Sequence, residues 1–284
     1  MTNTSINLSK LCDPSTRDCL TVIRDQASSL NTDFFVVGAL VRILVLERYY
    51  NIPTGVGTLD IDIGVTVIDW AHYEKLRHSL ISTGSFAEDK KVYHRLWHRE
   101  KYPVDLIPFG AVETSAGLIQ WPHDQAVEMN VTGFQDALKA AILVRLSDDL
   151  NVRFVSLPAM AVLKLIAWHD RHNELPTKDA VDIAVLLKNY LNAGNDQRMF
   201  DQHANLIETA DFDFEAAGAR LLGRDMAQIM SRQTTKSVLG VLASNTLPDE
   251  HDSLVIAVAD RLPEKSYERA LALLQSLKAG ILDQ

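Results

Sequence analysis

At 284 residues, with 47% hydrophobic and 23% charged side chains, the chain is long enough for one large core or two modest ones and is not disordered overall. A formal net charge of −9 argues against a protein dominated by non-specific binding to nucleic acid or an anionic membrane, while leaving room for a local basic patch. Residues Met1 to Lys10 are polar with no apolar signal segment, and charge interrupts every apolar run before membrane-spanning length. The expectation is a soluble, cytoplasmic protein. Cys12 and Cys19 fit a reducing setting as packing residues, because their spacing on a helix is too long for a disulfide.

The first half alternates helix-like and strand-like segments. Apolar spacing predicts a helix over Ser15–Leu30 and a short strand over Asp33–Val37. Gly38 then opens an amphipathic helix through about Tyr50, with Leu40, Leu44 and Val45 inward. Asn51 to Gly57 reads as a loop, and Asp60 to Val67 as the central strand. Asp69 is placed to cap a helix through about Ile81, with Trp70, Tyr73, Leu76 and Leu80 on its inner face. Val92–Trp97 and Val104–Phe109 are predicted strands separated by a charged turn at Arg99 to Lys101. Further strand-like runs lie at Ala126–Val131, Ile142–Leu146 and Val152–Val155, around a short helix near Gln135, and Trp121-Pro122-His123 reads as a loop anchor. After Pro158 the spacing is helical throughout. This places a boundary near residue 156, with an α/β domain over 1–156 and a helical domain over 157–284.

Three acids stand out against this background. Asp60 and Asp62 are two residues apart in an apolar, β-branched run, which puts both carboxylates on one face of a strand. Their mutual repulsion calls for compensation, and hard oxygen ligands suit Mg²⁺ or Mn²⁺. Asp105 sits in Val104-Asp105-Leu106-Ile107, where a lone buried carboxylate would cost several kcal/mol unless paired or bound to metal. A strand adjacent and antiparallel to Asp60–Val67 would bring it to the other two. Such a trio can hold two metal ions roughly 3.5–4 Å apart, the arrangement that activates a hydroxyl and stabilises a leaving pyrophosphate. Gly38 and Ala39, at a strand-to-helix junction, offer backbone N–H groups to phosphate oxygens. Arg42, one turn on, is placed either to reach phosphate or to pair with an acid across the loop.

The order Val36-Val37-Gly38-Ala39, Thr58-Leu59-Asp60-Ile61-Asp62 and Val104-Asp105-Leu106 resembles the nucleotidyltransferase fold of the DNA polymerase β type. In the second half, Ala161-Val162-Leu163-Lys164-Leu165-Ile166-Ala167-Trp168 and then Lys178-Asp179-Ala180-Val181-Asp182 resemble the lysine and aspartate motifs of AbiEii/AbiGii toxin-type nucleotidyltransferases. The resemblance covers roughly residues 33–190, and nothing beyond about 195 matches it. It implies an α+β protein, a mixed-sheet nucleotidyltransferase domain and a helical domain with the active site in the cleft between them. Asp60 and Asp62 would ligate metal, and Asp105 would join the catalytic ion and help activate the acceptor. Gly38, Ala39 and Thr58 would approach nucleotide phosphates; Lys164 would neutralise the triphosphate, and Asp182 or Asp179 would orient that lysine or the acceptor. The chain departs from the family pattern at Ala39, where a serine is usual, and at Val56 and Gly57, where a basic residue is common.

The reaction implied is transfer of a nucleoside monophosphate from a nucleoside triphosphate to an acceptor RNA (a tRNA 3′ end), protein or small molecule, under the control of an antitoxin protein. A small-molecule nucleotidyltransferase of the antibiotic-modifying kind, or a catalytically lapsed nucleotide-binding protein, would carry the same acids. Other residues have plainer readings beside the functional one. Lys164 among apolar neighbours can be a lysine whose stem covers the core, and Lys178, Asp179 and Asp182 can be ordinary helix-end charges and an i,i+4 ion pair. The strip His94-Arg95-Leu96-Trp97-His98-Arg99 reads as a solvated edge strand, or as a basic, aromatic contact for a base or RNA acceptor, and has no zinc-ligand spacing. His169 to His172 close the lysine helix, where cations are favoured.

Overall fold

The computed structural model describes residues 6–55, 57–58, 60–122, 124–175, 177–207, 212–244 and 253–283. Val56, Leu59 and His123, each part of a motif above, and Pro176, two residues ahead of Lys178, lie outside the described residues. The chain divides into two compact units, meeting between Ser156 and Leu157.

The first unit is built on an eight-stranded mixed sheet. Strand β1 (Ile6–Asn7) leads to helix α1 (Pro14–Ser29), which Asp13 caps by accepting a 2.9 Å hydrogen bond from the Thr16 amide. Cys12 and Cys19 are buried here, and burial pushes the Cys12 thiol up to about 12, so it is protonated and inert at neutral pH. Strand β2 (Phe34–Val37) ends at Gly38, and helix α2 (Ala39–Val41) runs on as a π-helix over Arg42–Tyr49. Leu40, Leu44 and Val45 are buried as the spacing requires.

Strand β3 (Ile61–Val67) follows, then α3 (Trp70–Ser82), capped by Asp69, whose carboxylate accepts the His72 amide at 2.7 Å. Tyr73, Leu76 and Leu80 of α3 are buried and Trp70 is half-buried. The chain continues through β4 (Phe86–Glu88), β5 (Arg95–His98) and β6 (Tyr102–Gly110). A two-stranded ribbon, β7 (Leu118–Trp121) and β8 (Asp124–Asn130), precedes α4 (Phe134–Lys139), β9 (Ile142–Arg145) and β10 (Asn151–Phe154). The sheet order is β1-β9-β10-β2-β3-β6-β5-β4.

Two features of this order correct the sequence reading. Strand β6 pairs with β3 in parallel, not antiparallel. Crossover α3 restores the direction of β3 in β4, and two hairpins, β4–β5 and β5–β6, then reverse it twice. Strand β5 is interior, between β4 and β6, so the His94–Arg99 strip is not an edge. It also starts later than expected, because Asp89 accepts the Lys91 and Val92 amides at 2.7 and 2.9 Å and holds that segment in a turn. Behind the sheet, the Phe35, Phe109 and Phe134 rings meet edge-on or tilted at 5.6–6.2 Å. The Phe35 ring occupies the space where a Cβ on Gly64 would lie, 2.5 Å from its nearest carbon, so a bare backbone at Gly64 lets the core close against β3.

The second unit is helical among its described residues: α5 (Leu157–Arg171), α6 (Lys178–Asn189), α7 (Asp196–Gln202), α8 (Phe214–Ile229), α9 (Arg232–Ser244), α10 (Ser253–Ala259) and α11 (Tyr267–Leu282). Helices α8 and α11 approach backbone to backbone: a Cβ on Gly223 would stand 2.1 Å from the Leu277 carbonyl, and one on Gly280 2.0 Å from that of Arg220. Among the described residues no helix is long and apolar enough to cross a membrane.

Candidate active site

The acids of the first unit converge. In the parallel register Asp62 stands directly opposite Asp105, and Asp60 lies just ahead of β3, two residues before Asp62. One carboxylate oxygen from each of Asp60, Asp62 and Asp105 lies within 4.8 Å of the others. Asp105 is buried and the other two are half-buried, so the cluster opens on one side. The Thr58 hydroxyl donates to Asp60, fixing that carboxylate from the incoming loop.

Gly38 is what lets the cluster form at the end of β2. Its φ is +74°, a backbone geometry that L side chains rarely adopt. A Cβ there would lie 1.9 Å from Asp62 Oδ2, so the Asp62 carboxylate occupies the space a side chain would need. Ala39 begins the helix at once, so the junction offers main-chain N–H groups near the acids. Hard oxygen donors on adjacent strands, half open to solvent and packed against a bare backbone, suit a divalent cation.

Arg42 is buried, and its guanidinium donates to the Thr54 hydroxyl, which in turn donates to Glu47. The Thr54 amide also donates to Glu47 at 3.2 Å, so this network ties the loop ahead of Thr58 to the π-helix.

The interior position of β5 brings in a residue that the sequence reading placed either on a solvated edge or in a base or RNA contact. Arg95 stands directly opposite Asp105 and grips it with two hydrogen bonds, Nε–Oδ1 at 2.7 Å and Nη2–Oδ2 at 2.8 Å. Those bonds hold the guanidinium protonated well above its ordinary range, with Asp60 adding to the effect. His94 lies with Nε2 3.9 Å from Asp105 Oδ2 and stacks on Trp121, ring centroids 5.2 Å apart. Burial pushes the His94 imidazole down against the pull of the Asp105 charge. Trp97 donates its indole N–H to Asp89 at 2.7 Å and so braces the strand. The signal available in the sequence was the alternation of Arg95 with apolar Leu96 opposite the Val104-Asp105 strand.

The lysine and aspartate motifs of the second unit also meet. Lys164, on α5, places Nζ 2.6 Å from Asp182 Oδ2 and 3.2 Å from Asp179 Oδ1, both on α6. Arg171, read from the sequence as a helix-end cation, adds a bidentate grip on Asp179 at 2.6 Å per bond. Burial alone would raise the Asp179 carboxyl; the Arg171 hydrogen bonds and the Lys164 charge outweigh it and hold the group below the usual carboxylate range. Lys178 is exposed at the start of α6.

The first unit thus presents three clustered carboxylates beside a strand-to-helix glycine on a mixed sheet, and a helical unit follows it in the chain. A family model described as "Nucleotidyl transferase AbiEii toxin, Type IV TA system" matches residues 56–271, past the limit near 195 expected from the motifs, and the chain belongs to that family. No curated protein matches. Among solved structures, a complex of CCA-adding enzyme with ATP is 15% identical, covering 93% of this chain and 67% of that one, with a TM-score of 0.27. A complex with CTP is 14% identical over 89% and 68%, also with a TM-score of 0.27. An apo form of CCA-adding enzyme is 12% identical over 97% and 84%, with a TM-score of 0.25.

Proposed function

We propose that this toxin-family nucleotidyltransferase moves a nucleoside monophosphate from a nucleoside triphosphate to an acceptor hydroxyl and releases pyrophosphate. Asp60, Asp62 and Asp105 would hold Mg²⁺ or Mn²⁺ for the step. The observation that carries this reading is the convergence of the three carboxylates against Gly38, where an acidic cluster is otherwise hard to keep together. Bound divalent ions supply charge stabilisation at the α-phosphate and the leaving group. Asp60, held by Thr58, and Asp62, seated against Gly38, present fixed oxygens, and Asp105 takes the acceptor-side position. Main-chain groups at Gly38 and Ala39 receive phosphate oxygens. In the second unit, Lys164 is assigned to the triphosphate charge, with Asp182 and Asp179 orienting its ammonium and Lys178 as a further phosphate contact. Membership of a toxin family favours a macromolecular acceptor, an RNA 3′ end or a protein side chain, and an antitoxin that limits the activity.

The test is label transfer from each α-³²P nucleoside triphosphate with Mg²⁺, using total RNA or cell lysate as acceptor and Asp60→Ala/Asp62→Ala as control. Label on RNA or protein that is absent with the double variant supports the reading and names the acceptor class. Label on a small molecule moves the protein to the antibiotic-modifying kind. Metal-dependent nucleotide binding without transfer leaves a binding protein, and neither binding nor transfer overturns the reading.

A further inference from the structure

Arg95 holds both carboxylate oxygens of Asp105 in a cross-strand fork, while Asp60 and Asp62 crowd the other side of the same carboxylate. A metal ligand gripped in this way is well oriented, yet a cation approaching it meets a guanidinium already bound there. We propose, resting on the metal-centre reading above, that Arg95 is a positioning residue that competes with divalent cation for Asp105. The cluster then fills fully only when a nucleoside triphosphate brings its own oxygen ligands to the ion.

Three observations support this. Asp105 is buried on an interior strand, so its carboxylate has little freedom to swing from the fork toward an ion. Arg95 sits at an interior β5 position opposite Asp105, and its neighbour Trp97 is tied to Asp89, so the strand that carries the guanidinium is itself braced. The Asp60 charge reaches Arg95 as well, so the guanidinium offsets negative charge across the cluster and not at one acid alone. Arginine serves here where lysine would not, because its planar fork engages both oxygens at once.

The experiment titrates Mn²⁺ alone into the full chain, following free Mn²⁺ by electron paramagnetic resonance, and repeats it with a non-hydrolysable nucleoside triphosphate. Arg95→Gln removes the charge and should bind Mn²⁺ alone about tenfold more tightly than wild type, of the order expected for losing a charge beside a carboxylate. Arg95→Lys keeps the charge but loses the fork and should bind about threefold more tightly. With the triphosphate present, each difference should shrink severalfold. Unchanged or weaker Mn²⁺ binding by Arg95→Gln overturns the proposal and leaves Arg95 a structural residue. Should that variant fail to fold by circular dichroism, Arg95→Lys decides alone, and affinity at or below wild type overturns the proposal. A wild type that binds no Mn²⁺ even with nucleotide overturns the metal centre itself; Mn²⁺ binding abolished in Asp60→Ala/Asp62→Ala but indifferent to Arg95 overturns only this inference.

Discussion

The two charged clusters of this protein differ in how they are balanced. In the first unit, three carboxylates converge with one guanidinium forked onto Asp105, and two of the acids stay half open to solvent. In the second, Lys164 and Arg171 face Asp179 and Asp182, two cations against two anions, with both acids buried. A cluster with excess like charge is costly to hold together and looks outward for a cation. A cluster of matched charges whose acids are buried is costly to break. The same residue types thus stand partly open to solvent in one place and engage one another in the other.

The comparison breaks most sharply at the acids. Asp60→Ala/Asp62→Ala should abolish label transfer, a loss of at least about a thousandfold, as expected when charge stabilisation at a transferring phosphoryl group is removed. The thermal midpoint should stay level or rise, because like-charge repulsion goes with the carboxylates. A clear fall in midpoint in the absence of metal would mean that the cluster is structural.

Lys164→Ala should do the reverse to stability. It leaves Asp182 and part of Asp179 buried without their ammonium, and breaking such a pair costs roughly 3–5 kcal/mol. Hydrogen exchange of α5 and α6 amides reads this within the second unit. Unaltered protection would show that the quartet is held by other contacts. Gly38→Ala sits between these extremes. Its new Cβ would meet Asp62 Oδ2, and the positive φ adds strain of about 1–2 kcal/mol. Mn²⁺ affinity should fall at least tenfold, by analogy with misplacing any metal ligand, while the helices of the second unit keep their exchange protection.

What the sequence disclosed follows the same division. Asp60, Asp62 and Asp105 were legible because carboxylates inside apolar, β-branched runs are anomalous, and Gly38 because a glycine between a strand and a helix marks a close approach. The direction of β6 was not, since it depends on two short hairpins after α3, and β4 has only the three residues Phe86–Glu88. Arg95 and Arg171 looked like surface charge in the linear pattern. Their roles appear only once β5 is interior and α6 is set against α5, because an ion pair is specified by register and not by spacing along one element. The meeting of Lys164 with Asp179 and Asp182 was anticipated through the motif resemblance, whereas local apolar spacing around Lys164 equally described a lysine stem lying over the core.

The smallest expected effect concerns acid. The Asp179 carboxyl is held below the usual carboxylate range in the folded protein, Arg171 and Lys164 outweighing the opposing effect of burial. A folded-state value below the unfolded one means that the unfolded chain binds the proton more readily. The stabilisation is therefore fully present above the unfolded value, near pH 4, and is lost as the pH falls through the lower folded value. Exchange protection of α6 should decline on acidification from about pH 5 to pH 3, the pH dependence of intrinsic exchange having been divided out. In Asp179→Asn that decline should be shallower, from a starting stability already reduced because Arg171 and Lys164 have lost a carboxylate. An equally steep decline in the variant would place the acid sensitivity of α6 elsewhere and separate Asp179 from the quartet's balance. A shallower one would complete the contrast, with the second cluster answering to protons through stability and the first answering to metal through activity.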